Sequence, residues 1–194
     1  YDEVNLNLGC PSSTVASKGR GSGFLGEKEA LKAFLADIFD KTDMKISLKT
    51  RIGLNRADEF DDILDIYQAF PVEMLIVHPR IRMDYYSGKP DMEAFEKASA
   101  RMPFPVCYNG DIFTAAAYGR VSEKYSDIRH WMMGRGLLSN PALCREIRGG
   151  DCASREELAD YYHTMRDEYE VRLQGNKKVV FLMKEFWHYI SWIL

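Results

Sequence analysis

The sequence is poor in the residues that announce a metal centre, a disulfide scaffold or a membrane anchor. It has four cysteines and four histidines in 194 residues. Cys10, Cys107, Cys144 and Cys152 show no CxxC spacing and no paired histidines, so neither a zinc site nor a disulfide framework is expected, and no metal is assigned. Reduced thiols suit the cytoplasm. Apolar runs are short: Met74 to Val77 and Val179 to Met183 are among the longest, against the ~18 residues of a membrane helix. No basic, apolar leader opens the sequence, and the expected location is cytoplasmic. Positive charge is not in excess either, with 26 Lys and Arg against 29 Asp and Glu and a net charge of -3. That excludes a generally basic nucleic-acid coat, so any such partner needs a local patch. What is present, 46% hydrophobic and 28% charged residues, is the balance of an ordinary globular chain.

The first informative stretch runs from Val4 to Pro11. Val4, Leu6 and Leu8 alternate with Asn5 and Asn7, the period of a strand, and Gly9 and Pro11 forbid its continuation. We expect a short buried strand with Cys10 at its carboxyl end. A glycine-rich loop to Gly26 follows, then a helix over 27–41 with Leu31, Phe34, Leu35, Ile38 and Phe39 on one face. The strand, loop and helix recur. Strands are predicted over 45–51, over 74–77 ending on His78, over 105–108 ending on Asn109-Gly110-Asp111, and over 128–133 ending on Gly134-Arg135-Gly136. The intervening helices carry Phe60, Ile63, Leu64 and Tyr67, then Met92, Phe95 and Ala98 capped by Asp91, then an Ala-rich segment capped by Thr114. Ser139 or Asn140 is the expected cap of a short helix with Pro141 in its first turn.

Five such units with near-continuous apolar strands imply an α/β fold with a parallel sheet. Cys10, Lys49, His78, Asn109 and Arg135 each fall at or just past a strand's carboxyl end. A TIM (β/α)8 barrel gathers such ends on one rim, whereas an open doubly wound sheet scatters them. Residues 1–150 are therefore expected to be a partial barrel, its last five βα units. About three units would precede them, leaving a curved sheet in sequential order whose first strand is an unpaired edge, hydrophobic on both faces. From Ser154 the alternation stops. Ser154 and Glu157 spell a capping box ahead of Leu158, Tyr161, Tyr162, Met165 and Tyr169. Gly175 and Asn176 break that helix, and Val179, Val180, Met183, Phe186, Trp187, Ile190 and Ile193 define another, so 151–194 reads as an all-helical appendage.

Taken singly, the polar residues have bland explanations. Free cysteines are often small buried hydrophobes, and Lys49 and Arg51 could be solvated charges. His78 could be a satisfied core histidine, Asn109-Gly110 a plain turn, and Gly134-Arg135-Gly136 a tight exit from a strand. Loops after the last strands of such barrels do, however, frequently hold a phosphate on backbone N–H groups, with Arg adding charge-assisted donors.

Jointly they are more specific. Asn7-Leu8-Gly9-Cys10-Pro11, the glycine-rich stretch from Lys18 to Leu25, Lys49-Thr50-Arg51, His78-Pro79-Arg80, Asn109-Gly110-Asp111 and Gly134-Arg135-Gly136 occur in that order. The set resembles the signature of the tRNA-dihydrouridine synthases, flavin enzymes on a TIM barrel, and covers two-thirds of the chain. Asn5 and Pro79 depart from the family's commoner Asp and small residue. The resemblance implies that Lys49, His78, Asn109, Gly110, Asp111, Gly134 and Arg135 line FMN, with NADPH or NADH as reductant. It implies that Cys10 is the acid, protonating carbon 5 of a tRNA uridine opposite the hydride, and that Asn7, Arg51 and Arg80 face the uridine or its phosphate backbone. A free thiol, titrating near ~8.5, is mostly protonated at neutral pH and suits that role. The appendage then corresponds to the start of an RNA-binding domain, with Lys177, Lys178 and Lys184 toward phosphates, and the complete protein is expected to be a monomer. Another FMN barrel oxidoreductase acting on a small substrate, or a non-catalytic RNA-binding remnant, are the alternatives.

Overall fold

The computed structural model describes residues 1–173 and 175–191. Ile193, assigned above to the last helix, lies outside them. The chain divides into two compact units, one formed by residues 1–110 with 127–132, the other by 111–126 with 133–194.

The first unit holds β1 (Glu3–Leu8), α1 (Ser13–Ala16), α2 (Lys28–Lys41), β2 (Lys45–Arg51), α3 (Glu59–Tyr67), β3 (Leu75–His78), α4 (Met92–Arg101), β4 (Val106–Tyr108) and β5 (His130–Trp131). Among the described residues the sheet has five strands, all parallel, in the order β1-β2-β3-β4-β5. Every neighbour is the next strand in sequence, and β1 and β5 are not paired, as the unit count anticipated. Successive strand residues point to opposite faces, and in-register residues of parallel strands point to the same one. Ile46, Leu48, Thr50, Leu75, Val77, Val106 and Tyr108 therefore share a face, all of them buried. The helices cover it. Thr50 Oγ1 lies 3.0 Å from Tyr67 Oη of α3, and the Tyr108 ring meets Phe95 of α4 edge-on at 5.2 Å. Leu31 and Leu35 of α2 and Phe60, Ile63 and Leu64 of α3 are fully or almost fully buried, each worth roughly 1.5–3 kcal/mol of burial.

Four expectations need correction. β1 is not a buried strand, and its edge is not hydrophobic on both faces: Val4 is 37% exposed, Asn5 and Asn7 are exposed, and only Leu8 is buried. Among the described residues it has one hydrogen-bonded neighbour, β2, and its two asparagines give it a polar surface; Asn5 Nδ2 donates to Ser47 Oγ at 2.8 Å. β5 is two residues long, His130 and Trp131, with Arg129 and His130 exposed and the Trp131 ring packed against Tyr108 at 5.5 Å. Lys49 does not end its strand. It lies inside β2, and Arg51 occupies the carboxyl end. Phe34, though on the apolar stripe of α2, is 38% exposed, with its ring against Phe24 at 5.3 Å.

The second unit holds α5 (Ala115–Lys124), α6 (Arg135–Ser139), α7 (Leu143–Ile147), α8 (Arg155–Arg172) and α9 (Asn176–Ile190). Thr114 caps α5, its Oγ1 accepting from Ala117 N at 3.0 Å. Gly134-Arg135-Gly136 does not precede a loop but opens α6, and Ser139 is in that helix's last turn rather than a cap. Asn140 is the residue that organises the next turn, its Oδ1 accepting from Ala142 N at 3.0 Å. The capping box at α8 is reciprocal: Glu157 N donates to Ser154 Oγ at 3.2 Å, and Ser154 N to Glu157 Oε2 at 2.9 Å. Arg145 grips the same carboxylate with two bonds and, together with the cap, holds the Glu157 carboxyl down at about 2. Gly175, at φ 100°, makes the left-handed turn into α9. Val179, Met183, Phe186 and Ile190, spaced at helical intervals, bury against Tyr161, Tyr162, Met165, Tyr169 and Leu173. Val180 and Trp187, expected on that face, are instead about half exposed, although the Trp187 ring still meets Tyr162 of α8 edge-on at 5.4 Å. No helix among the described residues is long and apolar enough to cross a membrane.

Candidate active site

Lys49 pairs in register with Asn7 and Ile76, Ile76 with Cys107, and Arg51 with His78. The alternation that sends Leu48 and Thr50 to the helices sends Asn7, Lys49, Arg51, His78 and Cys107 to the opposite face. Adjacent parallel strands thus place a lysine, an arginine, a histidine and a thiol side by side.

Lys49 is half-buried, and among the described residues no hydrogen-bond acceptor or carboxylate partners its ammonium. Its pKa is lowered, first by burial and then by the charge of Arg51; Cys107 and Cys10 pull weakly the other way. His78 is 6% exposed, and burial, reinforced by the positive charges of Arg51, Lys49 and Arg80, drives its pKa down to about 3. The imidazole is therefore neutral at physiological pH. Its Nε2 lies 3.4 Å from Arg80 Nη1, which assigns that nitrogen as the acceptor. Asn109 hydrogen-bonds to His78 and donates from Nδ2 to Met132 O at 2.9 Å, so its amide is fixed at the end of β4. The Cys107 thiol, buried beside Lys49, is pushed up to about 11 by burial, which disfavours the nucleophilic thiolate at neutral pH.

Cys10 sits two residues beyond β1 and is partly exposed. Asn7 Oδ1 accepts from Gly9 N at 3.1 Å, and a side chain at Gly9 would press on the Thr50 backbone. The glycine-rich loop folds back through the 3-10 turn Gly21–Gly26, where buried Ser22 gives the Cys10 carbonyl two bonds, from N at 3.0 Å and from Oγ at 2.7 Å.

Arg51 and Arg80 are 2% and 1% exposed, so neither presents its guanidinium to solvent. Arg51 donates to the carbonyls of Gly9 (3.1 Å), Ile81 (2.9 Å) and Tyr85 (2.6 Å), and Arg80 donates to Gly88 O at 2.6 Å. Gly110 is shaped by packing: a Cβ there would stand 2.0 Å from Tyr108 Oη.

The second unit carries the other predicted residues. Arg135 Nη2 bonds Asp111 Oδ1 at 3.0 Å, and its guanidinium lies 5.2 Å from the Phe113 ring centroid. Gly134 caps α6, and a Cβ on it would meet nothing within 4 Å. Gly136 differs, because a Cβ there would strike Ile112 O at 2.1 Å. The predicted residues thus form two sets, Asn7, Cys10, Lys49, Arg51, His78, Arg80, Asn109 and Gly110 in the first unit and Asp111, Gly134 and Arg135 in the second. Sequence reasoning missed Ser22 and Cys107. The parity of β4 relative to β2 would have located Cys107; Ser22 has no local signal.

Polar residues collected on the face opposite α3 and α4, and at the carboxyl ends of consecutive parallel strands, define an α/β protein, and in such folds the βα loops at those ends carry the site. A dihydrouridine synthase family model matches residues 1–192, and the chain belongs to that family. It is 28% identical over 145 residues to tRNA-dihydrouridine synthase B of Pseudomonas putida, covering 74% of this chain and 43% of that protein. A probable tRNA-dihydrouridine synthase of Rhizobium leguminosarum is 26% identical over 173 residues, 87% and 54% of the two chains. Probable tRNA-dihydrouridine synthase 1 of Synechocystis is 30% identical over 146 residues, 74% and 41%. The chain spans about half the length of the curated relatives it matches.

Proposed function

We propose that the protein to which this chain belongs reduces uridine in tRNA to 5,6-dihydrouridine, and that the five-stranded sheet is the last part of a (β/α)8 barrel holding FMN. The observation that carries this is Lys49, a half-buried ammonium without an anionic partner among the described residues, beside a histidine kept neutral. A cation left uncompensated on a sheet face is costly unless a ligand supplies the negative charge. The electron-rich edge of a flavin supplies it. The open space in front of Gly134 fits a phosphate approaching the backbone, with Arg135 as its charged donor and Asp111 holding that arginine. Lys49, His78, Asn109 and Gly110 would face the ring.

When bound and reduced by NADPH or NADH, FMN supplies a hydride to carbon 6 of the uracil. The chain's own part is the proton. Cys10, partly exposed at the end of β1, delivers it to carbon 5, and Asn7 at the adjacent open edge meets the uridine. A uridine inside a folded tRNA has to be turned out to reach this thiol. Exposed Lys177, Lys178 and Lys184 on α9 support a role of residues 151–194 in holding RNA phosphates. The protein acts as a cytoplasmic monomer in this proposal. The test is to purify the full-length protein, measure bound flavin, and assay dihydrouridine in tRNA from a deletion strain, with Lys49→Met as control. Stoichiometric flavin and tRNA reduction, both lost in the variant, are expected. Flavin with reduction only of a free pyrimidine or enone would make this a small-substrate flavoenzyme, and RNA binding without flavin would make it a non-catalytic remnant.

A further inference from the structure

We infer that Arg51 is a positioning residue for the Cys10 thiol and for the loop between β3 and α4, and not a contact for RNA phosphate. The inference rests on Cys10 being the acid of the proposed reduction. Arg51 ends β2 on the face opposite α3 and α4, and its guanidinium ties that strand to the end of β1 and to the loop between β3 and α4. Nε donates to Gly9 O at 3.1 Å, Nη1 to Ile81 O at 2.9 Å and Nη2 to Tyr85 O at 2.6 Å. At 2% exposure, with each of its three nitrogens bonded to a carbonyl, it has no fork to offer a polynucleotide.

What these bonds fix matters more than their number. The Gly9 carbonyl belongs to the peptide on the amino side of Cys10, and Arg51 holds it. The Cys10 carbonyl belongs to the peptide on the carboxyl side, and Ser22 holds it with N and Oγ. Both peptide planes that meet at the Cys10 Cα are therefore clamped, which sets φ and ψ and leaves only χ1 to aim the sulfur. Gly21, at φ 55° and with a would-be Cβ 2.9 Å from Cys10 Cβ, closes the space behind it.

The other end of the brace is equally constrained. Tyr85 stands at φ 50°, ψ -92°, a conformation that non-glycine residues hold only when their surroundings over-determine it. Its carbonyl takes the shortest Arg51 bond. The next residue, Tyr86, has its ring centroid 5.5 Å from the Arg51 guanidinium carbon and 6.1 Å from the His78 ring. One buried cation thus sets the acid and an exposed aromatic on opposite loops. A lysine cannot replace it, since a single ammonium on a flexible stem does not reach three carbonyls in fixed directions.

The experiment uses the full-length, flavin-loaded protein with Arg51→Lys and Ser22→Ala, the second removing one bond to the Cys10 carbonyl and nothing else. Three quantities are measured: iodoacetamide alkylation of Cys10 by peptide mass spectrometry, kcat and KM for tRNA, and tRNA affinity against salt. Arg51→Lys is expected to change Cys10 alkylation several-fold and to lower kcat roughly 10- to 100-fold, the scale of a misplaced catalytic group. The slope of log affinity on log salt should not change in Arg51→Lys or in a further variant that lacks the charge, Arg51→Ala, and Ser22→Ala should move alkylation in the same direction by less. Adding Arg51→Lys to Cys10→Ala should cost nothing further, because both act on one proton transfer. Alkylation unaltered in both variants would overturn the inference. So would a salt slope shallower by ~0.9 in Arg51→Ala, the mark of one lost phosphate contact. If Cys10→Ala leaves tRNA reduction intact, the proposed function fails instead, while altered alkylation would still establish the clamp.

Discussion

Alanine at Gly110 and alanine at Gly134 should have opposite consequences, although both glycines belong to motifs assigned to the cofactor. At Gly110 the added methyl carbon would stand 2.0 Å from Tyr108 Oη, 2.4 Å from Cζ and 2.8 Å from Cε1. The tyrosine cannot step aside. It is 2% exposed and held edge-on between Phe95 at 5.2 Å and Trp131 at 5.5 Å, so relief requires moving the whole aromatic stack at the end of β4. Overpacking of that kind costs ~1–3 kcal/mol. In a chain of this size each kcal/mol shifts Tm by ~2–4 °C, so a fall of about 2–12 °C is expected. Gly134 has no heavy atom within 4 Å of a would-be Cβ, and its φ of -110° is open to any residue. Its alanine variant should unfold within about 1 °C of the wild type, yet bind FMN roughly tenfold more weakly, about 1.4 kcal/mol, if a phosphate fills that space. Thermal unfolding by circular dichroism without added flavin, paired with flavin titration, separates the two effects. Equal losses of Tm, or a Gly110→Ala variant as stable as the parent, would refute the steric argument. Undiminished FMN affinity in Gly134→Ala would refute the phosphate assignment.

Cys10→Ala should leave flavin content unchanged and slow tRNA reduction ~100-fold or more, measured by single-turnover dihydrouridine formation; loss of flavin would make the thiol structural. His78 makes stability depend on acid. An unfolded imidazole takes up a proton from pH 6.5 downward while the buried one stays neutral to about 3, so its contribution is intact above 6.5 and is lost progressively between 6.5 and 3. Between pH 7 and 5 the wild type should therefore lose about 2 kcal/mol that a His78→Gln variant does not, read from urea unfolding at the two pH values. In the second unit, Met183→Ala should cost ~2–5 kcal/mol as a buried cavity, detected as earlier melting of the helical pair, whereas alanine at exposed Val180 should cost under ~0.5 kcal/mol.

The fold was legible where one kind of signal sufficed. β2, α3, α4 and the caps at Asp91, Thr114 and Ser154 lie where period and side-chain chemistry place them, because strand alternation, helical spacing and an oxygen facing free N–H groups are local properties. The failures are tertiary. Whether Val4 is buried depends on how many neighbours β1 has, and how far Phe34 or Trp187 is covered depends on the elements that meet its helix. Neither number is written in the segment itself. The exit from β5 was ambiguous for a related reason: Gly134-Arg135-Gly136 is compatible with both a tight turn and a helix start, and the need for glycine at 136 comes from Ile112, more than twenty positions earlier, whose carbonyl leaves no room for a Cβ there.

The site was legible as composition but not as division of labour. Lys-x-Arg in a strand guarantees that Lys49 and Arg51 share a face, since the period is two, and the face follows from Leu48 and Thr50 being apolar or helix-facing. It does not say which cation has partners. That is settled by the loops, which bring the Gly9, Ile81 and Tyr85 carbonyls to Arg51 and the Gly88 carbonyl to Arg80 and bring no acceptor to Lys49 among the described residues. The repulsion of three neighbouring cations then falls on the group best able to give way. His78 does so by staying neutral, and Lys49 does so in part, with a lowered pKa. A site arranged in this way attracts negative charge at one point, the lysine, while its two arginines are spent on holding the loops around that point. Of the two arginines that the motif alone would place against RNA, Arg51 bonds the Gly9 carbonyl beside Cys10, and Arg80 bonds the Gly88 carbonyl on the loop before α4 and stands beside His78.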